Sequence, residues 1–322
     1  MTLSPADVRR LLAENGLRPS RALGQHFVVD ANTLRRIVRF ADVGKEARVV
    51  EIGAGLGSLT LALARTGAEV VAVEVDRHLV PILRSVVGTS TNVTVVEADA
   101  LRVDWGELLG PTPDGAAGAP TWRLVANLPY NVATPLVVRV LEEAPQVTSM
   151  LVMVQREVGE RLAAGPGDDA YGALSVKIAY WATAAVVGIV PPAVFVPRPR
   201  VDSALVRIDR RPVPLVSPDV VTGERLFSVV GAGFAHRRKM LRRALAGIVE
   251  PGAFEAAGVS PQSRAEELDV ATWGRLAAWR AEAMDEVPAR GEGDEVPARG
   301  EADDARRADA PAAPDARRAD AP

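Results

Sequence analysis

Asn127-Leu128-Pro129-Tyr130 concentrates more potential chemistry than any other four residues of this sequence. An exocyclic amine on an aromatic base is a poor nucleophile because its lone pair is delocalised into the ring. An asparagine side-chain oxygen and a neighbouring backbone carbonyl can accept the amine's two N–H bonds together. That holds the nitrogen closer to tetrahedral and aims its lone pair at an electrophile. Pro129 fixes φ and brings no competing N–H, and Tyr130 offers an aromatic face for a base. Alone, the tetrad suits a strand-end turn equally well, since asparagine and proline are ordinary turn residues. The surrounding elements decide.

The apolar run Arg123-Leu124-Val125-Ala126 reads as a buried parallel strand. Asn127 then falls at its carboxyl end, where open α/β sheets place their ligands. Residues 48–52 read as the first core strand and run into Gly53-Ala54-Gly55-Leu56-Gly57 and a helix over 58–65. Strand, glycine turn and helix form a nucleotide-binding layout, the glycines allowing close approach of backbone to ligand. A second strand over 69–73 ends at Glu74, where a carboxylate can take both ribose hydroxyls. A third over 93–96 leads to Asp99, placed to accept from an adenine amine. The rival ligand is a dinucleotide, but Ser58 stands where its fingerprint wants a third glycine. The G-x-G-x-G turn suits a ligand without pyrophosphate, such as S-adenosylmethionine.

Other segments must position these groups. Residues 5–14 read as an amphipathic helix closed by Asn15-Gly16. Residues 21–30 read as a loop, either laid over a ligand or plainly on the surface. Asp30 or Asn32 caps the next helix, which carries Leu34, Ile37 and Val38 on one face and Arg35, Arg36 and Arg39 on the other. After the tetrad come a helix over 134–143, a strand over 150–154 and a helix from Gln155 towards Gly165. Strands near 185–190 and 204–208 flank a proline-rich link whose one large aromatic, Phe195, either packs in the core or faces Tyr130 as a second stacking surface. Ser217-Pro218 reads as a helix start. Residues 236–243 read as helical, with six basic or potentially basic side chains and no acid. A solvated helix face is the ordinary explanation for such charge, and the absence of any acid favours phosphate contact.

At 322 residues, with 48% hydrophobic and 25% charged residues, the chain is long enough for two globular domains. It has no cysteine and three histidines, which excludes disulfides and thiolate chemistry and disfavours a metal site. No stretch has the length of a membrane span and no signal peptide is evident, so a cytoplasmic protein is expected. The net charge of −3 hides an asymmetry: residues 282–322 hold 12 acids and 6 bases, the rest 29 acids and 32 bases. The acidic end is built of repeats (residues 285–292 recur at 294–301, and 304–311 at 315–322) with almost no large apolar side chains. It is expected to be disordered.

As a set, Leu23-Gly24-Gln25-His26-Phe27, the turn over 51–57, the tetrad, Gln155-Arg156-Glu157-Val158, Tyr171-Gly172-Ala173-Leu174-Ser175 and the run Val190-Pro191-Pro192 through Phe195, Pro197, Pro199, Val201 and Ser203 resemble the ribosomal RNA adenine N6,N6-dimethyltransferase family. Within it, they are most similar to members acting on two adjacent adenosines of small-subunit (16S) rRNA. The resemblance spans roughly residues 18–280. It implies an α/β fold: a Rossmann-like class I methyltransferase domain with a seven-stranded sheet over 1–210, a small all-helical RNA-contacting domain over 211–281, and the acidic tail over 282–322. It implies S-adenosylmethionine held by Gln25, His26, Val28, Gly53, Gly55, Glu74, Asp99, Ala100 and Asn127, with Asn127, Leu128, Pro129, Tyr130 and Phe195 around the target base. Arg198, Arg200, Arg237, Arg238, Lys239, Arg242 and Arg243 become the expected RNA contacts. The implied partner is 16S rRNA in the small subunit or its precursor, met by a monomer without a membrane. One departure stands out: His26 occupies a position where the family usually has asparagine. The implied alternatives are a 23S rRNA methyltransferase of the macrolide-resistance type and an assembly factor for which methylation is secondary.

Overall fold

The computed structural model describes residues 2–20, 23–111 and 121–279. Nine strands lie among them: β1 (Phe27–Val28), β2 (Arg48–Ile52), β3 (Glu69–Glu74), β4 (Val93–Glu97), β5 (Trp122–Asn127), β6 (Val147–Gln155), β7 (Ala182–Val190), β8 (Phe195–Val196) and β9 (Ser203–Arg210). Seven form one sheet in the order β4-β3-β2-β5-β6-β9-β7, the seven-stranded sheet that the resemblance implies. Strands β2 to β6 pair in parallel, and β9 runs antiparallel to both β6 and β7.

The parallel strands read as near-continuous apolar runs because both faces of the sheet are covered. Alternation sends Val50, Leu124 and Val152 into one core and Val49, Val125 and Leu151 into the other. The helix Ala133–Glu143 covers the first face with Leu136, Val137 and Val140. The helix Ala31–Phe40 covers the second with Leu34 and Ile37, and Asp30 caps it by accepting from Thr33 N at 2.6 Å. The opening helix is Pro5–Glu14, with Ser4 and Asp7 forming a reciprocal capping box.

Residues 23–30 are more than a loop. Their β1 pairs antiparallel with β8, Phe27 opposite Val196 and Val28 opposite Phe195. This two-stranded ladder binds the N-terminal segment to the proline-rich link. Between β7 and β8 the chain turns through Pro192–Val194.

A second core forms where the chain turns helical. Leu226, Val230, Leu241, Phe254 and Trp273 pack with Tyr171, Val176 and Tyr180, which belong to the sheet-bearing part. The helix Ala173–Trp181 is thereby shared: Ile178 faces the sheet core while Val176 and Tyr180 face the helical core. Tyr171 donates its hydroxyl to Leu268 O at 2.9 Å, locking the junction. All described residues belong to a single compact unit, and its two cores share the segment 171–181, which precedes residue 210. The repeat region lies outside the described residues.

Two helix expectations need correction. Ser217 does not start a helix: its hydroxyl accepts Asp219 N at 3.2 Å in a local turn, and the helix Gly223–Ala235 starts after Thr222, whose side chain accepts Arg225 N. Residues 236–240 form a turn between that helix and the short helix Leu241–Ala244. Leu241 and Leu245 point inward as expected, while the basic residues are divided between the turn (His236, Arg237, Arg238 and Lys239) and the short helix (Arg242 and Arg243). Among the described residues no helix is long and apolar enough to cross a membrane.

One arginine fixes the antiparallel strand. Arg210, at the end of β9, donates to the carbonyls of Val147, Leu141 and Val140 at 2.8 Å and of Ala144 at 3.1 Å. It satisfies the end of the helix Ala133–Glu143 and ties it to β6 and β9. Arg210→Lys keeps the charge and loses the planar fork, and should lower the unfolding free energy by about 2–3 kcal/mol, read from chemical denaturation.

Candidate active site

The strand order reverses direction between β2 and β5, and a crevice opens beyond their carboxyl ends. Non-atom space there amounts to about 1130 Å³, open to solvent at its mouth. Gln25, His26, Val28, Gly53, Gly55, Glu74, Asp99, Ala100, Asn127, Leu128, Pro129 and Tyr130 all line it. Residues from five separate segments therefore meet in one cleft.

The glycine turn leaves β2 with left-handed φ at Gly53 (72°) and Gly55 (58°). A Cβ on Gly55 would come within 3.0 Å of the Phe27 ring, so the turn requires glycine both for its backbone and for the ladder above it. Glu74 ends β3 with its carboxylate 5% exposed, accepting Gly55 N at 2.7 Å and Asp76 N at 2.9 Å. Burial raises its pKa, and those backbone donors work against the rise. Each oxygen keeps a second lone pair for a ligand hydroxyl. Asp99 follows β4, with Oδ1 accepting Leu101 N at 2.9 Å and Oδ2 3.7 Å from Arg102 in an exposed ion pair.

The N-terminal loop is clasped over the cleft. Gln25 uses both ends of its amide, donating to Asp76 at 2.8 Å and accepting Ser20 N at 2.8 Å. Its geometry is that of a tie between the loop and the end of β3. His26 places Nδ1 2.8 Å from the carbonyl of Pro197, and its own carbonyl accepts Asn127 Nδ2 at 2.8 Å. That last bond orients the amide, leaving Asn127 Oδ1 for a ligand. Pro129 O accepts Val132 N and Ala133 N, both at 3.1 Å, starting the following helix. Tyr130 is half-buried with its hydroxyl 3.2 Å from Ser203 Oγ, and burial raises its pKa.

Phe195 is not where the stacking reading puts it. It is 3% exposed and packs with Val28, Val190 and Leu205, outside the lining of the cleft. Its β8 register turns the ring inward, so the structure favours core packing. Among the basic residues, Arg237 is engaged within the fold, donating to Glu266 at 2.7 Å and Asp169 O at 2.8 Å. Arg198, Arg200, Arg238, Lys239, Arg242 and Arg243 are exposed.

Glu51 opens the turn over 51–57 and lines the cleft, although the sequence assigned it no role. Glu51 is 2% exposed, its Oε2 has no partner, and the nearby Ser58 hydroxyl is likewise buried and unpaired. Its signal was present as a lone acid inside an apolar strand. Burial, reinforced by the Glu74 charge, pushes its carboxyl up to about 8.

The sequence matches the family described as ribosomal RNA adenine dimethylase over residues 17–282. The chain belongs to the ribosomal RNA adenine dimethylase family. The "Ribosomal RNA small subunit methyltransferase A" of Kineococcus radiotolerans is 50% identical over 288 residues, 86% of this chain and 91% of that protein. The protein of the same name from Cutibacterium acnes is 47% identical over 293 residues, 87% of this chain and 95% of that one. The crystal structure of 23S rRNA methyltransferase ErmE aligns with a TM-score of 0.60 at 26% identity, covering 78% of this chain and 98% of that one.

As a dimethylase of this family, the protein is an S-adenosylmethionine-dependent methyltransferase on the Rossmann-like class I fold. The cleft fits that cofactor. Glycines without Cβ open the backbone at its floor, Glu74 offers acceptors for a ribose, and the unpaired Glu51 and Ser58 leave polar capacity unused.

Glu51 makes stability depend on pH. An unfolded glutamate titrates near 4.5 and folded Glu51 near 8, so between these values the native state holds a proton that the unfolded state has released. Its contribution to stability therefore falls as pH rises through that window. Glu51→Gln cannot ionise. It should melt above the wild type beyond about pH 8, with the advantage vanishing towards pH 4.5, in thermal melts across that range.

Proposed function

We propose that this dimethylase methylates the N6 amines of two adjacent adenosines in a loop near the 3′ end of 16S rRNA. It would act on the small ribosomal subunit or its precursor, in the cytoplasm, and contribute to subunit biogenesis. The observation that carries this reading is the Asn127 amide, which lines the cleft beside a half-buried tyrosine ring with its nitrogen held by the His26 carbonyl. The choice of small subunit is supported by relatives of that name at 47% and 50% identity, against 26% for the 23S enzyme. The protein would act as a monomer.

Bound S-adenosylmethionine supplies an electrophilic methyl group on a sulfonium. Glu74 receives the ribose hydroxyls, Asp99 the adenine amine, and Gly53 and Gly55 give backbone access. The target adenosine leaves its stack to reach the cleft, at least cost in an unpaired loop. Tyr130 takes one face of the base, its hydroxyl fixed against Ser203. Asn127 Oδ1 and a neighbouring carbonyl accept the two amine hydrogens. The Pro129 carbonyl is already occupied, so Leu128 O is the acceptor. The lone pair then points into the cleft, and holding amine and methyl in that geometry lowers the barrier by about 7–11 kcal/mol. The nitrogen's surplus proton leaves to water. RNA is gripped by the exposed Arg198, Arg200, Arg238, Lys239, Arg242 and Arg243, while Arg237 braces the turn that carries Arg238 and Lys239.

Tritiated methyl transfer to purified small and large subunits from a strain lacking the enzyme tests the substrate. Label is expected in the small subunit, and label confined to the large subunit would overturn the choice. Tyr130→Ala should leave cofactor affinity intact and reduce kcat/KM by about 5- to 150-fold, the loss of about 1–3 kcal/mol of stacking. Arg238→Glu with Arg242→Glu should weaken RNA binding and flatten its salt dependence by about 0.7 per lost contact, with calorimetric cofactor affinity unchanged.

A further inference from the structure

The turn over 99–103 carries Asp99 and Ala100 into the cleft, and it is bonded mostly to itself. Asp99 O accepts Arg102 N at 2.8 Å and Val103 N at 3.0 Å, and Asp99 Oδ1 accepts Leu101 N at 2.9 Å. Just before it, Ala98 N donates to Glu74 O at 3.1 Å and ties the near end to β3. The far end is held by Arg139, on the helix Ala133–Glu143. Its guanidinium donates through Nη1 to Ala100 O at 2.8 Å and through Nη2 to Val103 O at 2.7 Å. Nη2 also meets the Glu143 carboxylate at 2.8 Å, and the guanidinium carbon lies 5.9 Å from the centre of the buried Trp105 ring. The Arg139 side chain is 19% exposed, so these partners set its position. The same helix starts on Pro129 O and lines the cleft with Leu136.

We propose that Arg139 is a positioning residue for the cofactor, holding the turn 99–103 in the shape that receives the adenine. This rests on the reading above that Asp99 takes the adenine amine. A guanidinium offers several donors in a rigid fork, so it fixes two carbonyls of one turn relative to each other. Without it the turn keeps its internal bonds and its tie to β3, and Ala100 is free to leave the wall of the cleft. Affinity for a ligand falls in proportion to the fraction of time its site is formed. Once the cofactor is bound the turn is in place, so the methyl-transfer step keeps its rate. Arg139 does not itself line the cleft and acts through Ala100 and Val103.

The test uses the full chain and combines calorimetry with S-adenosylhomocysteine, thermal melts and labelled methyl transfer to under-methylated small subunits at varied S-adenosylmethionine. Arg139→Met keeps an apolar stem beside Trp105 and removes both donors. It should weaken S-adenosylhomocysteine binding by about 10-fold and raise KM for S-adenosylmethionine as much, with kcat at saturation within about 2-fold of wild type. Arg139→Lys has one ammonium for two carbonyls and should lose less, about 3-fold. Glu143→Gln removes the ion pair and leaves both carbonyl bonds, so its affinity should match wild type. A lower melting point in Arg139→Met with unchanged affinity would make the arginine merely structural and overturn the proposal. A fall in kcat with KM unchanged would overturn it too. Should Arg139→Met not fold, Arg139→Lys decides on the same readouts, and wild-type affinity there counts against the proposal. The adenine reading is tested separately with the analogue of S-adenosylhomocysteine that carries inosine in place of adenosine. Equal binding of the two by the wild type would refute the amine contact of Asp99, while the affinities of the Arg139 variants still decide whether this arginine holds the turn.

Discussion

A primary amide presents its oxygen to a ligand only while its nitrogen is held elsewhere. Asn127 meets that condition through one bond, to the carbonyl of His26, and much of the structure keeps that carbonyl in place. The ladder between β1 and β8 anchors the loop on one side. Gln25 ties it to Asp76 on the other. Gly24 lies so close over the tetrad that a Cβ would sit 3.2 Å from Pro129 Cβ. An N-terminal segment therefore governs the geometry of a residue at the end of a central strand, and it does so through backbone groups.

The cleft also handles two carboxyl groups differently. Glu74 has backbone N–H donors on both oxygens, so a charge there is solvated by the protein itself. Glu51 has an unpartnered oxygen and an apolar strand around it, so it keeps its proton at neutral pH. Two adjacent buried anions would repel each other with no water to screen them. Unequal hydrogen bonding resolves the conflict and leaves one acceptor group and one neutral acid facing the same space.

The strand ends were legible because each is an apolar run broken by a polar residue. Glu74 and Asn127 stand at such breaks, Asp99 follows two residues after one, and all three reach the cleft. The sharing of roles among aromatic and basic side chains was not legible, because it depends on distant partners. His26 finds its ring partner Pro197 171 residues along the chain, and no local pattern announces that pairing. Phe195 looks like a free aromatic in a proline-rich link until the β8 register turns it inward. Arg237 and Arg238 are indistinguishable neighbours in sequence, yet Glu266 and Asp169 claim the first and leave the second in solvent. The helix start at Ser217 failed for a local reason: serine before proline serves a turn as readily as a cap.

The helix Ala173–Trp181 gives one face to the sheet core and another to the helical core, with Tyr171 bonded across the junction. The natural seam for exchanging parts between members of the family therefore does not lie at the linker near residue 210, where the chain leaves the sheet. A chimaera joined there would set Val176 and Tyr180 from one parent against Leu226, Val230 and Trp273 from another, leaving mismatched volumes at the centre of the join. Recombination that respects packing has to carry the stretch around Tyr171–Trp181 together with the helical segment it supports.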